Sequence, residues 1–339
     1  MSKIKKKGRQ TVNFSSSPVI IGTAAIAGAK EGEGPLGGYF DTVVQDGMWG
    51  EDSWEKAESK FMEQAVRTAL DKSGLATGEI DYIFGGDLLN QCTGTNYGLR
   101  ALEIPFIGLY GACSTMALSM SVAAMCIDGG YADSCAAVTS SHFCSAERQF
   151  RFPLEYGGQR PPSAQWTATG SGCAILSANG EGPVIDCITT GKITDMGITD
   201  ANNMGAAMAP AAVDTLLAHF RETGRKPQDY DFIVSGDLGK IGKSIVIDML
   251  GEEKYDMTNN YDDCGLLLFD AQKQDTHSGG SGCACSALTF CGYLYQQLCE
   301  RKINSLLFMA TGALMSTMSV QQGESIPGIA HAVSIRNQR

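Results

Sequence analysis

The residue best suited to chemistry is Cys113, which stands in a turn of small residues, 111–115, just before a helix-forming run. The positive end of a helix favours a thiolate, so this position predicts a cysteine with a lowered pKa. Such a thiol could line a binding pocket or accept an acyl group. The simpler alternative is a small buried residue at the crossing of two helices.

Two carboxylates, Asp87 and Asp237, each follow a short apolar run typical of a buried strand. We expect both to face the rim of a pocket, because ligands gather at the carboxyl ends of strands in open α/β sheets. They would repel an anionic ligand unless it carries protons or calcium, which prefers carboxylate oxygen. Alternatively, both side chains cap helices or loops. Asn90 lies in the loop that Asp87 begins.

Two of the four histidines are positioned to meet a ligand. His142 follows a predicted strand end, and His331 stands in the last predicted strand. Either could hydrogen-bond a carboxylate, or serve a structural role. His219 is predicted to be a surface or satisfied helix residue, and His277 precedes a glycine-rich turn.

Composition limits the possible partners. The net charge is -11 and there is no long basic run beyond residues 3–9, which excludes nucleic acid as a natural partner. The twelve cysteines include no CxxC pair, and several lie in apolar runs, so we expect reduced thiols. We also expect no signal peptide and no membrane span.

An internal repeat organises the chain. Residues 81–88 recur as 231–238, and each copy is a short apolar run closed by Gly-Asp. The flanking segments repeat as well. In chain order, the matching pairs are helices 54–73 and 208–223, helix-ending Gly74 and Gly224, the strands 81–88 and 231–238, Cys-Ser turns 111–115 and 283–287, and strands 134–140 and 305–310. Cys285 occupies the second Cys-Ser turn, where Cys113 occupies the first.

The repeat predicts the architecture. Helices alternate with continuous apolar strands in each copy, which favours a mostly parallel sheet covered on both faces. Two such copies make a protein of two pseudo-symmetric halves. A turn-forming stretch at 177–183 predicts the boundary, with one half at 1–178 and the other at 179–339.

Longer motifs carry a family resemblance. Six segments, 85–91, 111–115, 147–151, 155–159, 279–287 and 325–331, resemble the stage V sporulation protein AD family, a branch of the thiolase and ketoacyl synthase superfamily. The resemblance implies an α/β fold of five layers, αβαβα, built from two duplicated halves. It also implies binding of dipicolinic acid (pyridine-2,6-dicarboxylate), or its calcium chelate, for uptake into the developing spore. The expected location is peripheral, at the inner spore membrane, beside membrane proteins of the stage V sporulation A operon.

The same resemblance addresses catalysis. Condensing enzymes of this superfamily pair the cysteine with a histidine that follows a strand of the second half, but segment 234–238 contains none. An aspartate replaces it poorly, because its ordinary pKa is about 3.9. We therefore expect a non-catalytic binding protein with no cofactor, calcium entering only as the ligand's chelate. The candidate ligand-binding residues are Cys113, Asp87, Asn90, His142, Asp237, Cys285 and His331.

Two alternatives to the binding role stay open at this point. Cys113 could act as the nucleophile of an acyltransferase or a thioesterase-like enzyme. The pocket could instead be vestigial, on a scaffold that docks membrane partners. A homodimer is also expected, because thiolase relatives pair edge strands across a two-fold axis.

Overall fold

Most strands of the protein belong to two sets, one in each half of the chain. A computed structural model describes residues 5–150 and 159–338. The strands in these ranges are β1 (Thr11–Asn13), β2 (Val19–Gly28), β3 (Thr42–Val44), β4 (Tyr82–Gly86), β5 (Phe106–Gly108), β6 (Ser134–Ser141), β7 (Trp166–Thr167), β8 (Gly170–Ser177), β9 (Val184–Thr189), β10 (Phe232–Ser235), β11 (Tyr261–Asp263), β12 (Gly280–Ser281), β13 (Ser305–Ala313) and β14 (Gly328–Arg336).

The helices alternate with these strands. They are α1 (Ala29–Gly32), α2 (Trp54–Ser73), α3 (Thr93–Leu99), α4 (Thr115–Asp128), α5 (Phe143–Phe150), α6 (Met204–Thr223), α7 (Gly239–Glu252), α8 (Cys264–Leu268), α9 (Cys283–Leu288), α10 (Tyr295–Cys299) and α11 (Thr317–Gln321). A π-helical turn, Thr289–Leu294, joins α9 to α10. Among these helices, none is long and apolar enough to cross a bilayer.

The main sheet repeats one strand order in its two halves. From the junction outward, the first half runs β2, β8, β6, β4, β5, and the second runs β9, β14, β13, β10, β11. In both halves the three outer strands are parallel to one another. In both halves, the two strands nearest the junction are antiparallel to each other, and the second of them is antiparallel to the first of the outer strands. The internal repeat of the sequence is thus a repeat of topology.

The expectation of a mostly parallel sheet is therefore wrong, since each half is mixed. A parallel neighbour requires a crossover that returns the chain to the same end of the sheet. The connections before β8 and β14 reverse the chain direction instead, and each strand pairs antiparallel with its predecessor in the sheet. β8 ends at Ser177 and β9 begins at Val184; the division into two units at residues 178 and 179 stays a prediction.

Alternating side chains of the strands separate the layers. Phe84 on β4 and Phe308 on β13 pack on a central pair of helices, α4 and the α9–α10 helix. Their neighbours point the opposite way: Ile83 packs with α2 and Leu307 packs with α6. This period of two places helices on both faces of each half-sheet. The result is the five-layer α/β arrangement.

Local signals located the helices well. α2 occupies the predicted residues, and the Ser53 hydroxyl accepts from the Lys56 N–H at its start. Gly74 and Gly224 close α2 and α6 with φ of 69° and 74°, the left-handed region that glycine adopts freely. α6 begins four residues before its predicted start and contains Pro210, so the apolar spacing alone missed its first turn.

Candidate functional site

Cys113 lies in a tight turn between β5 and α4 that hydroxyl groups hold in place. Ser114 Oγ donates to Gly111 O (2.6 Å) and Thr115 Oγ1 donates to Ala112 O (2.6 Å). Ala112 adopts a φ of 48°, in the left-handed region. Gly312 of β13 lies against the same turn, and a Cβ there would stand 2.3 Å from Gly111 O. The second half of the chain therefore supports the cysteine of the first.

A small cavity lies above Cys113. It is lined by Leu88, Ala112, Cys113, Thr167, Met204, Ser281, Ala313 and Met315. About 20 Å³ of it is open to the centre of a water molecule, which is room for about one water. Only 7% of Cys113 is exposed. Segments from both halves thus meet over the cysteine, but the cavity is much too small for dipicolinic acid, the ligand that the family resemblance implies.

Asp237 lies beside Cys113 and determines the state of its thiol. Its carboxylate accepts from Thr311 Oγ1 (2.6 Å), from the Gly282 N–H (3.2 Å) and from the Cys113 thiol. Burial raises the pKa of Asp237 to about 7. Burial, and then the charge of Asp237, raise the pKa of Cys113 well above its usual value. The prediction of a lowered cysteine pKa is wrong, because desolvation outweighs the helix dipole.

Asp87 is turned into its own loop and does not face a pocket rim. Oδ1 accepts from the Leu89 N–H (2.7 Å), and Oδ2 accepts from the N–H and hydroxyl of Thr95 (both 2.6 Å). Beside it, the buried carboxyl of Glu58 accepts from Ser140 and from Ser145. Burial, with the charge of Asp87 as the second cause, raises the pKa of Glu58. The capping alternative therefore describes Asp87.

The two candidate histidines are engaged outside the cavity. His142 Nε2 lies 2.8 Å from Gly47 O. His331 Nδ1 accepts from the Gly191 N–H at 3.3 Å. Burial lowers the pKa of both imidazoles, that of His331 to about 4. Neither residue lines the cavity above Cys113.

The remaining candidates also lie apart from the cavity. Cys285, the pseudo-symmetric counterpart of Cys113, is buried and its thiol donates to Gly236 O at 3.4 Å. Asn90 is exposed, and its carbonyl accepts from Thr93 Oγ1. Of the seven predicted ligand residues, the structure brings only Cys113 and Asp237 into contact with each other.

Three helices begin at this cavity, which determines its electrostatics. Cys113 precedes α4 by two residues, Met204 is the first residue of α6, and Ser281 precedes α9 by two residues. Thr167 and Ser281 are paired neighbours on β7 and β12. Helix starts carry partial positive charge, although N–H groups at the starts of α4 and α9 already donate within the protein, Ser114 to Gly111 O and Ala284 to Ser141 Oγ. The site therefore combines three helix starts with two hydroxyl groups, an apolar cover and, beside Cys113, the carboxyl group of Asp237.

The lining residues that sequence reasoning missed come from distant segments. Thr167, Met204 and Met315 have no motif around them, and only the fold brings them together over Cys113. Two other lining residues could have been found from the sequence. Ser281 lies within the glycine-rich segment 279–282 that precedes α9, and Leu88 directly follows the strand-ending Asp87.

Comparison with known sequences decides the family. A family model for stage V sporulation protein AD matches residues 8–336. The stage V sporulation protein AD of Bacillus subtilis strain 168 is 46% identical over 330 residues, which cover 97% of each chain. The chain belongs to the stage V sporulation protein AD family. A role in sporulation follows from this membership of the AD family.

Solved structures establish the fold of this AD family member. The 3-oxoacyl-[acyl-carrier-protein] synthase III of Aquifex aeolicus aligns with a TM-score of 0.57 at 13% identity, covering 94% of this chain and 99% of that one. Cerulenin-bound OleA of Xanthomonas campestris aligns with a TM-score of 0.61 at 13% identity, covering 95% and 98%. The α/β fold is thiolase-like, as predicted, and at this identity the likeness concerns the fold alone.

Proposed function

We propose that the protein binds dipicolinic acid, or its calcium chelate, in the cavity above Cys113 for uptake into the developing spore. It catalyses no reaction on this ligand. The proposal joins the sporulation role of the family to the chemistry of one site. Dipicolinate is a flat ring with two carboxylates, so it requires positive potential at its edge and apolar contact on its faces.

The observation that carries the proposal is the meeting of three helix starts at one cavity. Their N–H groups favour carboxylates without placing a lysine or arginine among the lining residues. The hydroxyl of Ser281 adds a polar contact on one wall, while that of Thr167 already donates to Glu147 Oε1. The neutral thiol of Cys113 can contact a ring, and its raised pKa disfavours its use as a nucleophile.

Calorimetric titration of dipicolinate into wild type, Cys113→Ala and Cys299→Ala tests this proposal. We expect saturable binding by wild type and by the exposed-cysteine control Cys299→Ala. Loss of a buried contact in Cys113→Ala should weaken the affinity about tenfold, which corresponds to roughly 1.4 kcal/mol. Wild type without saturable binding, or Cys113→Ala with wild-type affinity, would refute the proposed site.

We propose that calcium reaches the site only together with the ligand. Within residues 5–150 and 159–338, no group of three or more His, Cys, Asp or Glu side chains could hold a metal ion. Asp87 and Asp237 already accept internal hydrogen bonds. Titration of calcium alone should therefore show no binding, and a stoichiometric calcium site in the absence of dipicolinate would contradict the idea.

An acyl-transfer function is the second candidate, and Asp237 is the observation that favours it. With a pKa of about 7, this carboxylate is partly ionised near neutral pH and touches the thiol. It could accept the Cys113 proton as the sulfur attacks the acyl carbonyl carbon, and then return that proton to the departing sulfur of the acyl donor, so that a thioester forms on Cys113 and a free thiol leaves. Intact mass after incubation with acyl-coenzyme A decides: an acyl group on Cys113 would replace the binding proposal.

We further propose that the protein works beside membrane proteins of the stage V sporulation A operon, peripheral to the inner spore membrane. Affinity capture from membranes of sporulating cells tests this partnership. If those membrane proteins co-purify while dipicolinate shows no saturable binding, the protein is a scaffold with a vestigial pocket. If they do not co-purify, the proposed partnership fails.

A homodimer through β5 is also proposed. This strand ends the first half-sheet, and Ile107 on it and the nearby Tyr110 are 43% and 48% exposed. An open strand edge with apolar side chains favours pairing with a second copy. Light scattering should give a dimer for wild type and a monomer for Ile107→Lys; a monomeric wild type would remove the proposal.

A further inference from the structure

The cavity above Cys113 is closed to any organic ligand in this conformation. It has room for about one water, and the cysteine is 7% exposed. A molecule larger than water can reach the sulfur only after part of the wall moves. The fold itself indicates which part that is.

One side of the wall is fixed by buried hydrogen bonds. Leu88 sits in the loop that Asp87 ties through Leu89 and Thr95. Thr167 lies on paired strands, and its hydroxyl donates to Glu147 Oε1 at 3.0 Å. Moving this side would break several hydrogen bonds within the interior, each of which is costly to leave unmade.

The other side of the cavity wall belongs to segments that few buried hydrogen bonds hold in place. Met315 follows β13 and precedes α11, a helix without a buried residue. Met204 starts α6, and the preceding Asn203 gives that helix no side-chain cap. Asn203 Oδ1 is buried and lacks a hydrogen-bond partner among the described residues. An unpaired buried acceptor favours a rearrangement in which this segment meets water or ligand.

We propose that Met204 and Met315 form a gate over Cys113, which opens by movement of their side chains together with segment 314–327. That segment is held by Ser325 Oγ to Asp195 Oδ2 (2.5 Å) and by the Ile326 N–H to Ile198 O (2.8 Å). Methionine is unbranched and adapts its shape readily. After closure, the two thioethers cover the face of a bound flat molecule. The gate regulates the site of the proposed function and so rests on it in its biological role.

The test measures access to the Cys113 thiol and requires no ligand. Each protein is treated with N-ethylmaleimide at fixed pH, and peptide mass spectrometry follows the labelling rate of Cys113, with the exposed Cys299 as internal reference. Met204→Ala and Met315→Ala should each raise the Cys113 rate at least about tenfold. Met125→Ala is the matched control, because Met125 is 47% exposed, lies on α4 outside segment 314–327 and does not line the cavity; its rate should equal that of wild type.

A second variant keeps the gate testable if the alanine variants fold poorly. The double change Met204→Leu with Met315→Leu conserves volume but replaces two flexible side chains by branched ones. It should slow Cys113 labelling below the wild-type rate. Equal rates in wild type, the alanine variants and the leucine variant would overturn the gate, as would an equal gain in Met125→Ala.

Failure of the gate and failure of the binding proposal are distinguishable. Faster labelling in the alanine variants with no dipicolinate binding by wild type would keep the gate and remove the proposed ligand. Saturable dipicolinate binding, with labelling rates unaffected by changes at Met204 and Met315, would keep the ligand and remove the gate.

Discussion

At the scale of single residues, the decisive feature is a thiol that burial and a neighbouring carboxylate keep protonated. A cysteine beside a helix start suggests a reactive thiolate, yet Asp237 and desolvation reverse that effect at Cys113. The sequence could not reveal this pair, because Asp237 belongs to the other half of the chain. Cys113 itself was predictable, since its small-residue turn and following helix are local signals.

Replacement of Asp237 should make Cys113 more reactive. In Asp237→Asn the buried negative charge is lost, and the amide can donate to the thiolate, so the pKa of Cys113 falls. The pH profile of Cys113 alkylation, followed by mass spectrometry, should move to lower pH. The exposed change Asp256→Asn should leave the profile in place. An unmoved profile in Asp237→Asn would mean that burial alone sets the thiol pKa.

Asp87→Ala should affect stability more than calcium dependence. The change leaves the buried N–H groups of Leu89 and Thr95 without an acceptor, while relief of repulsion with Glu58 offsets part of the loss. We expect the free energy of unfolding, measured by urea titration, to fall by roughly 1–3 kcal/mol.

The control for that experiment is Asp46→Ala, whose carboxylate accepts from backbone N–H groups of an exposed loop. It should cost less than about 0.5 kcal/mol. A loss of calcium-dependent dipicolinate binding in Asp87→Ala, without loss of stability, would return Asp87 to a ligand role.

At the scale of elements, each half-sheet positions short turns at the same site, the cavity above Cys113. Periodic apolar residues and capping signals act within one segment, which is why α2 and the strand β4 were predictable from the sequence. The antiparallel pairing of β8 and β14 was not, because it depends on how a connection reverses the chain. Thr167, Met204 and Met315 were hidden for the same reason: their meeting depends on three separate connections.

Gly312→Ala tests whether β13 of the second half supports the Cys113 turn. The added Cβ would stand 2.3 Å from Gly111 O and 3.1 Å from the Ser114 nitrogen, so the turn must shift. We expect a loss of roughly 1–3 kcal/mol in unfolding free energy, together with weaker dipicolinate binding. Both are measurable on one purified variant, by urea titration and calorimetry.

Gly251→Ala is the matched control, since nothing lies within 4 Å of its added Cβ and it stands in the helix α7. Alanine should stabilise that helix by roughly 0.5–1 kcal/mol. If Gly312→Ala unfolds and binds like wild type, the contact between the halves does not shape the Cys113 turn.

At the scale of the whole molecule, burial raises the pKa of several interior carboxyl groups. Glu31 and Asp237 have pKa values of about 7, and the pKa of Glu58 is also raised. Burial lowers the pKa of two histidines, to about 3 for His219 and about 4 for His331, so the folded protein holds these imidazoles neutral. The folded protein therefore differs from its unfolded chain in bound protons across a wide pH range.

In the window from pH 6.5 to 8.5, the buried carboxyl groups and the buried thiols hold protons that the unfolded chain releases, while the opposing effect of the histidines fades, because in the unfolded chain they are about half protonated at the lower limit and neutral at the upper one. There the folded state binds more protons than the unfolded state, so unfolding free energy must fall as pH rises. The expected loss is on the order of 2 kcal/mol, measured by urea titration at both limits. Glu58→Gln should flatten this slope, while Glu63→Gln, on the same helix but paired at the surface with Arg67, should retain it. A stability that rises over this window would mean that these carboxyl groups are ionised in the folded protein, and that Cys113 lies beside a permanent charge.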